Sequence, residues 1–285
     1  MSRTRTSASK RSKSPSKFRT LFKWSWRIAI IVLLIDIGYM LAIWPDWERY
    51  AQGSVPKSKF ILDYEAKSHA DKSLPKLRWR PVRIRDIPKS VPRIFLIAED
   101  ARFYEHDGID TDAFREAMEY NWDQKRFVFG GSTISQQTVK NMFLSPSRDP
   151  LRKWHELVFT FFMENELSKR RILELYLNVA EFGEGIYGIE AASRRYYGKS
   201  ASALTQEQAA ELAATLPAPK KHNPATRTKF FNKKKNKIMR NARIGMEQPA
   251  KQQTELTEQT EQVIEQQTEQ TIEQQIEQPT EQPVE

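Results

Sequence analysis

The chain has 285 residues, 39% of them hydrophobic and 29% charged, with a net charge of +10 at pH 7 and no cysteine. That length allows one sizeable domain with appendages. The lack of thiols excludes a disulfide framework and a thiolate metal site, and the positive charge suits an anionic partner, either nucleic acid or an anionic membrane surface.

The charge is unevenly spread. Residues 1–27 carry nine Lys/Arg and no acid, and residues 247–285 carry ten Glu against one Lys. These ends cancel, so the middle is itself basic. The first twenty residues, rich in Ser, Arg and Lys, predict a disordered segment whose charge favours an anionic inner leaflet. Residues 28–44 form an apolar run that reaches about 25 Å as a helix, and adding Trp24 to Arg27 brings it to membrane thickness. Trp24, Trp26, Trp44 and Trp47 bracket it like an interfacial belt. Trp44-Pro45-Asp46-Trp47 stands where a signal peptide would place small residues for cleavage, so an uncleaved anchor is expected. The preceding positive charges put the N-terminus in the cytoplasm and the rest outside. A span that interrupts the basic segments argues against nucleic acid. Asp36 lies mid-span, where a carboxylate is costly: it either faces a partner helix or is tolerated in a single anchor.

Residues 48–86 have no clean period; Phe60–Tyr64 and Val82–Ile87 read as short strands. From Val91 the pattern turns helical, with Ile94, Ile97, Ala98 and Ala101 at three- and four-residue spacing and Gly108 as the stop. Asp112 opens the next helix, marked by Ala113, Ala117, Tyr120 and Asn121. After Gly130-Gly131, Ser132 or Thr133 is an N-cap. Asp149-Pro150 is a cap-and-N1 pair for a helix to about Leu167, with Leu157, Phe161 and Glu164 on related turns. Ser168 caps the next, to about Ala180. Gly183, Gly185 and Gly188 then break the chain before a short helix to Tyr197. Thr205 with Gln208 is a capping box for a helix to Leu216, stopped by Pro217. Residues 219–245 are basic: Lys233-Lys234-Lys235 beside Phe230-Phe231 either rests on lipid headgroups or is a solvated helix face. Residues 246–285 are repetitive Glu/Gln/Thr with little to bury, and disorder is expected. No period-two run is long enough for a large sheet, so the fold class is mainly α.

Two blocks carry the chemistry. Ala98-Glu99-Asp100-Ala101-Arg102-Phe103-Tyr104-Glu105-His106-Asp107-Gly108 offers an acid at the mouth of a helix. Gly130-Gly131-Ser132-Thr133-Ile134-Ser135-Gln136-Gln137-Thr138-Val139-Lys140-Asn141 offers a glycine loop and a helix with Gln137 and Lys140 on one face. Four further blocks follow: Arg152-Lys153-Trp154-His155-Glu156, Lys169 to Asn178, Phe182 to Ile189, and Leu212 to Pro217. In this order they resemble the monofunctional biosynthetic peptidoglycan glycosyltransferases, the family also found as the N-terminal domain of class A penicillin-binding proteins. The resemblance runs from about Ile87 to Pro219. It implies a lysozyme-like, two-lobed domain at 48–245, between a cytoplasmic basic tail (1–27) with its transmembrane anchor (28–47) and the acidic tail (246–285). The 66 residues after Pro219 cannot hold a transpeptidase domain. Thr138 stands where the family has an apolar residue, and Tyr197 where Phe is common.

The resemblance implies a transferase that joins lipid-linked disaccharide-pentapeptide (lipid II) to a growing glycan chain, β-1,4, with inversion and loss of polyprenyl diphosphate. It places such an enzyme in the bacterial inner membrane, with its domain periplasmic or extracellular. Glu99 matches the family's catalytic glutamate and is expected to be the general base, its pKa raised by desolvation from Phe103, Ile94, Phe95 and Ile97. By resemblance Ser132, Gln137, Lys140, Arg148 and Lys153 touch the sugar-diphosphate, and helix N-terminal amides after the glycines favour the same anion. Glu156 is the second acid of the catalytic set; it shares a face with Arg152 and Lys153, and the resemblance implies a charge-organising role near the diphosphate, orienting Lys153 or Arg148 or sharing a divalent cation. Asp100 is read as fixing local backbone, His106 as structural on the face of Glu99, and Glu174, Tyr176 and Asn178 as support. No cofactor is expected to be required and no protein metal site is assigned, though magnesium or manganese could sit at the diphosphate. Partners expected are lipid II, the glycan, membrane lipid, and cell-wall synthesis or division proteins met through the anchor helix. The rival readings are a glycan-cleaving lysozyme-like enzyme, which would not need converging cations, and an inactive anchored scaffold.

Overall fold

A computed structural model describes residues 17–125, 131–147 and 150–243. The chain divides into two units between Asp46 and Trp47. The first contains α1 (Lys17–Ala42), whose stretch Phe22–Ala42 is long and apolar enough to cross a membrane. Its apolar side chains from Ile28 to Ile35 are exposed. A helix that shows apolar groups all round is suited to lipid.

The second unit is built from α2 (Trp47–Ala51), α3 (Lys59–Ala70), α4 (Ser90–Glu99), α5 (Thr111–Asp123), α6 (Ile134–Phe143), α7 (Pro150–Glu166), α8 (Lys169–Val179), α9 (Ile189–Tyr197) and α10 (Gln206–Thr215). A last helix, α11, covers 229–243. The expected mainly helical, lysozyme-like domain behind a single apolar helix is what is found. At its centre is α8, buried almost throughout from Arg171 to Val179. Helix α6 packs on α7 and α8, and α4 packs on α10. Phe95, Phe103, Phe159, Tyr176 and Phe182 fill the core.

Three short strands, β1 (Arg78–Trp79), β2 (Glu181–Gly183) and β3 (Ile186–Tyr187), form a sheet in the order β1-β3-β2. β1 runs parallel to β3, and β2 antiparallel to it. At two or three residues each they are too short to show a period, so the glycine-rich segment read as a chain break. Gly188, at φ +81°, follows the hairpin; a Cβ there would lie 2.7 Å from the Asn178 carbonyl oxygen.

Several local expectations are overturned. Phe60–Tyr64 is helical, not a strand. Ser58 caps α3 by accepting from Ile61 N, and Ile61 and Tyr64 turn inward together. Val82–Ile87 is also not a strand. Asn178 accepts from Val82 N at 2.8 Å and donates to Val82 O at 2.8 Å, while Glu174 accepts from Ile84 N at 2.7 Å. Side chains of α8 thus satisfy the backbone that a strand partner would otherwise pair, and only a 3-10 turn, Ile84–Asp86, forms. This also gives Glu174 and Asn178 their supporting role. On α7 the inward face is His155, Glu156, Phe159, Thr160 and Met163, whereas Phe161 points out. Residues 230–237 lie on a helix with two faces: Phe230, Lys233 and Lys237 are exposed, while the opposite side packs inward. Phe231, Ile238 and Ala242 are buried, and Lys235 pairs with Glu207 at 3.0 Å.

Candidate active site

Glu99 is the last residue of α4, which stops well before Gly108. The stop comes from Asp100, whose side chain turns to other partners. Its Oδ2 accepts from Ile134 N at 2.9 Å and its Oδ1 lies 3.0 Å from His106 Nε2. These bonds clamp the end of α4 onto the start of α6. His106 therefore acts on Asp100 from a turn and does not extend the helix face of Glu99. Thr133, not Ser132, caps α6 in a reciprocal capping box with Gln136. Its hydroxyl also donates to Gly108 O at 2.6 Å. Gly108 adopts φ +89°, and a Cβ there would come 2.6 Å from Thr160 Cγ2. A left-handed, crowded position of this kind calls for glycine.

The clamp brings Glu99 against Gln137, whose Nε2 donates to Glu99 Oε2 at 3.3 Å. Lys234 of α11 reaches the other oxygen, with Nζ 2.9 Å from Oε1. The expected apolar neighbours Phe95 and Phe103 are fully buried, but the partners of the carboxylate are an ammonium and an amide. Sequence reasoning missed Lys234, which stands 135 residues from Glu99 in a run of three lysines. The available signal was the spacing of Phe231, Ile238 and Ala242, which marks one face of a packed helix and puts Lys234 beside it. Beneath lies Tyr176, fully buried, with no hydrogen-bond partner for its hydroxyl. Burial pushes its pKa well up, with Glu99 and Asp100 adding to the effect, so it remains a neutral phenol.

Glu156, on the inner face of α7, is 3% exposed. Arg152 Nη1 donates to one of its oxygens at 2.7 Å and Lys153 Nζ to the other. Lys153 also reaches Ser132 Oγ at 3.4 Å. Ser132 and Glu99 line one cavity of about 460 Å³. Lys140 differs from the other cations: its ammonium makes no hydrogen bond or ion pair among the described residues. Burial pushes its pKa below the usual lysine range; Glu156 opposes that shift, and Arg152 and Lys153 reinforce it. A desolvated ammonium in this state gains most from an incoming anion.

The structure thus brings together Glu99, Gln137, Lys140, Lys153, Glu156 and Ser132. Arg148 lies outside the described residues, as do Gly130 and the acidic tail. The amides of α6 are less available than expected: Ile134 N is taken by Asp100 and Gln136 N by Thr133. An anion here would meet side chains first. Asp100, His106 and Asp110 lie close enough to ligate a metal. Their lone pairs are largely committed, however, those of Asp110 to Arg102 and Ala113 N, so they read as a clamp. Both departures from the family pattern are internally satisfied. Thr138 donates to Ile134 O at 2.8 Å, and Tyr197 to Glu211 Oε2 at 2.9 Å.

A carboxylate set across from clustered cations in a mainly helical, lysozyme-like domain suits glycosyl transfer, and the class is that of a glycosyltransferase. Comparison with known proteins narrows the class to a family. The chain belongs to the transglycosylase family, which matches residues 69–243. It is 39% identical over 220 residues to a biosynthetic peptidoglycan transglycosylase of Nitrosospira multiformis, spanning 76% of this chain and 94% of the relative. It is 42% identical over 202 residues to the protein of that name from Thiobacillus denitrificans, 71% of this chain and 87% of the relative. With the Caulobacter vibrioides protein of the same name it shares 48% over 161 residues, 56% and 69% respectively.

Proposed function

We propose that this chain polymerises lipid-linked disaccharide-pentapeptide into β-1,4 glycan strands, inverting the donor sugar at each addition. Glu99 takes the proton of the acceptor 4-hydroxyl. The acceptor oxygen bonds to C1 of the donor as the C1–oxygen bond to the diphosphate breaks, and the bonding electrons leave on the polyprenyl diphosphate. That group departs as an anion and needs charge stabilisation in place of a proton. Lys140, Lys153 and Arg148 supply it, with Gln137 and Ser132 on the sugar-diphosphate and Glu156 holding Lys153 and Arg152 in place. Each Glu99 oxygen has one protein donor and keeps a second lone pair for the acceptor hydroxyl.

The single observation that carries this reading is the part-buried ammonium of Lys140, unpaired among the described residues, beside the Glu156 cluster and Glu99. A glycan-cleaving enzyme has no use for it. The chemistry requires no cofactor; a divalent cation, magnesium or manganese, would join the cations at the diphosphate. Outward apolar side chains support a lipid-facing location. Phe114, Met118 and Trp122 follow one face of α5, and Leu151, Trp154 and Phe161 are exposed on α7. The anchor would hold the domain on the outer side of the bacterial inner membrane, with the N-terminus cytoplasmic, and would be the contact for other cell-wall proteins.

Glu99→Gln tests the assignment. The amide cannot accept the proton, so polymer formation from labelled lipid-linked precursor in detergent should fall by about 10²–10⁴-fold with the fold intact. Polymer made at near wild-type rate by this variant rejects Glu99 as base.

A further inference from the structure

A second cavity, of about 540 Å³, lies away from the cluster around Glu99. Its lining is cationic: Arg83 and Arg85 from the segment before α4, and Arg170 and Arg171 from the first turn of α8. Gln52 and Gly53 complete one wall. Two of the four guanidinium groups are neutralised or partly so. Arg171 is buried, pairs with Glu174, and donates to Tyr50 O at 2.7 Å and Gln52 O at 3.2 Å. Glu174 spends its other oxygen on Ile84 N. Arg85 has only a loose contact with Asp86, at 3.9 Å. Arg83 and Arg170 are exposed and make no ion pair among the described residues.

The Arg171–Glu174 pair is therefore a neutral floor, and the rim carries excess positive charge. The same rim borders the start of α8, where the helix dipole adds to the attraction for an anion. Arginine in this number suits a phosphoryl group, whose oxygens accept its forked donors. The chain position of the wall narrows the source. Gln52 stands only ten positions beyond Ala42, the last residue of the apolar helix, and Arg171 fixes the Tyr50–Gln52 backbone to the cavity. If the apolar helix is a membrane anchor, a wall so few positions further along the chain is within reach of lipid headgroups.

We propose that this cavity binds a phosphoryl anion carried by the headgroup of an anionic membrane lipid. The lipid source rests on the anchor reading given above; the anion site itself does not. The bound lipid would fix the domain at the surface through a contact distinct from the catalytic cations, leaving Lys140 and Lys153 to the substrate.

The test uses the full chain in detergent with three probes: short-chain phosphatidylglycerol, short-chain phosphatidylcholine and inorganic phosphate. Hydrogen-exchange protection at residues 51–53 and 168–171 reads binding at the site. Phosphatidylglycerol should protect both segments. The double variant Arg83→Ala/Arg170→Ala should weaken it about 30-fold, from about 1 kcal/mol per lost contact, while Lys72→Ala should not. Equal protection by phosphatidylcholine, or an unaltered double variant, overturns the proposal. Inorganic phosphate binding as tightly as the lipid supports the anion site and overturns its lipid source. Flotation with phosphatidylcholine vesicles reads the anchor separately; a chain that stays in solution refutes the anchor and with it the lipid source, but leaves the anion site standing on the protection data.

Discussion

Glu156→Gln perturbs the charge arrangement at its hub. The substitution preserves shape and removes the charge that Arg152 and Lys153 share. Glu156 has a side chain 4% exposed, against 16% for Arg152 and 42% for Lys153. Removing one partner of a fully buried pair costs about 3–5 kcal/mol, and solvent screening at Lys153 brings the expectation to about 2 kcal/mol. For a domain of this size that lowers the melting temperature by about 4–8 °C. A second effect is more specific. Burial already depresses the Lys140 pKa, and Glu156 is the first influence opposing that depression. Without Glu156 the depression deepens, so Lys140 loses its proton at lower pH. The alkaline limb of kcat/KM for glycan polymerisation should then move to lower pH, with turnover at neutral pH down about 10²-fold. Thermal unfolding in detergent and a pH–rate profile on lipid-linked precursor measure the two effects. An unchanged melting temperature together with an alkaline limb that stays in place, or moves up, refutes the reasoning.

Lys140→Ala should weaken a diphosphate-bearing donor analogue and reduce turnover by about 10²-fold; equilibrium binding that matches wild type removes Lys140 from the cradle. Lys234→Met should lower kcat/KM by about 10–100-fold through loss of the Glu99 orientation, and steady-state polymerisation at the wild-type level would show that the contact is incidental. Glu181 has a buried carboxylate oxygen without a hydrogen-bond partner, and burial raises its pKa, with Lys220 opposing and Glu184 adding. A carboxyl with a raised folded pKa favours the protonated form, so stability falls as pH climbs from the unfolded value, about 4.3, through the folded one. Glu181→Gln should therefore stabilise by about 1 kcal/mol at neutral pH and by nothing below about pH 4; denaturant melts at both pH values decide it.

The sequence by itself determined most of what repeats or is local. The apolar run of α1, the caps Ser168 and Thr205, the Pro150 helix start and the helical class were legible because each depends on neighbours a few positions away. The pairing of Glu156 with Arg152 and Lys153 was legible for the same reason, being one helical turn. Glu99, Gln137 and Lys140 were identified as candidates from motif order, yet nothing local said that Gln137 would touch Glu99. That contact exists because Asp100 ends α4 and binds Ile134 N, a bond across 34 positions. Only the tertiary structure could replace the strand expected at 82–87, since the partners of that backbone are Asn178 and Glu174 on a distant helix. It alone carried Lys234 to the carboxylate and gathered Arg83 with Arg170 at one cavity. The physical reason is common to all three. A side chain's partner is set by which helices share a core, and burial of α8 and α11 brings together groups that no period in the sequence connects.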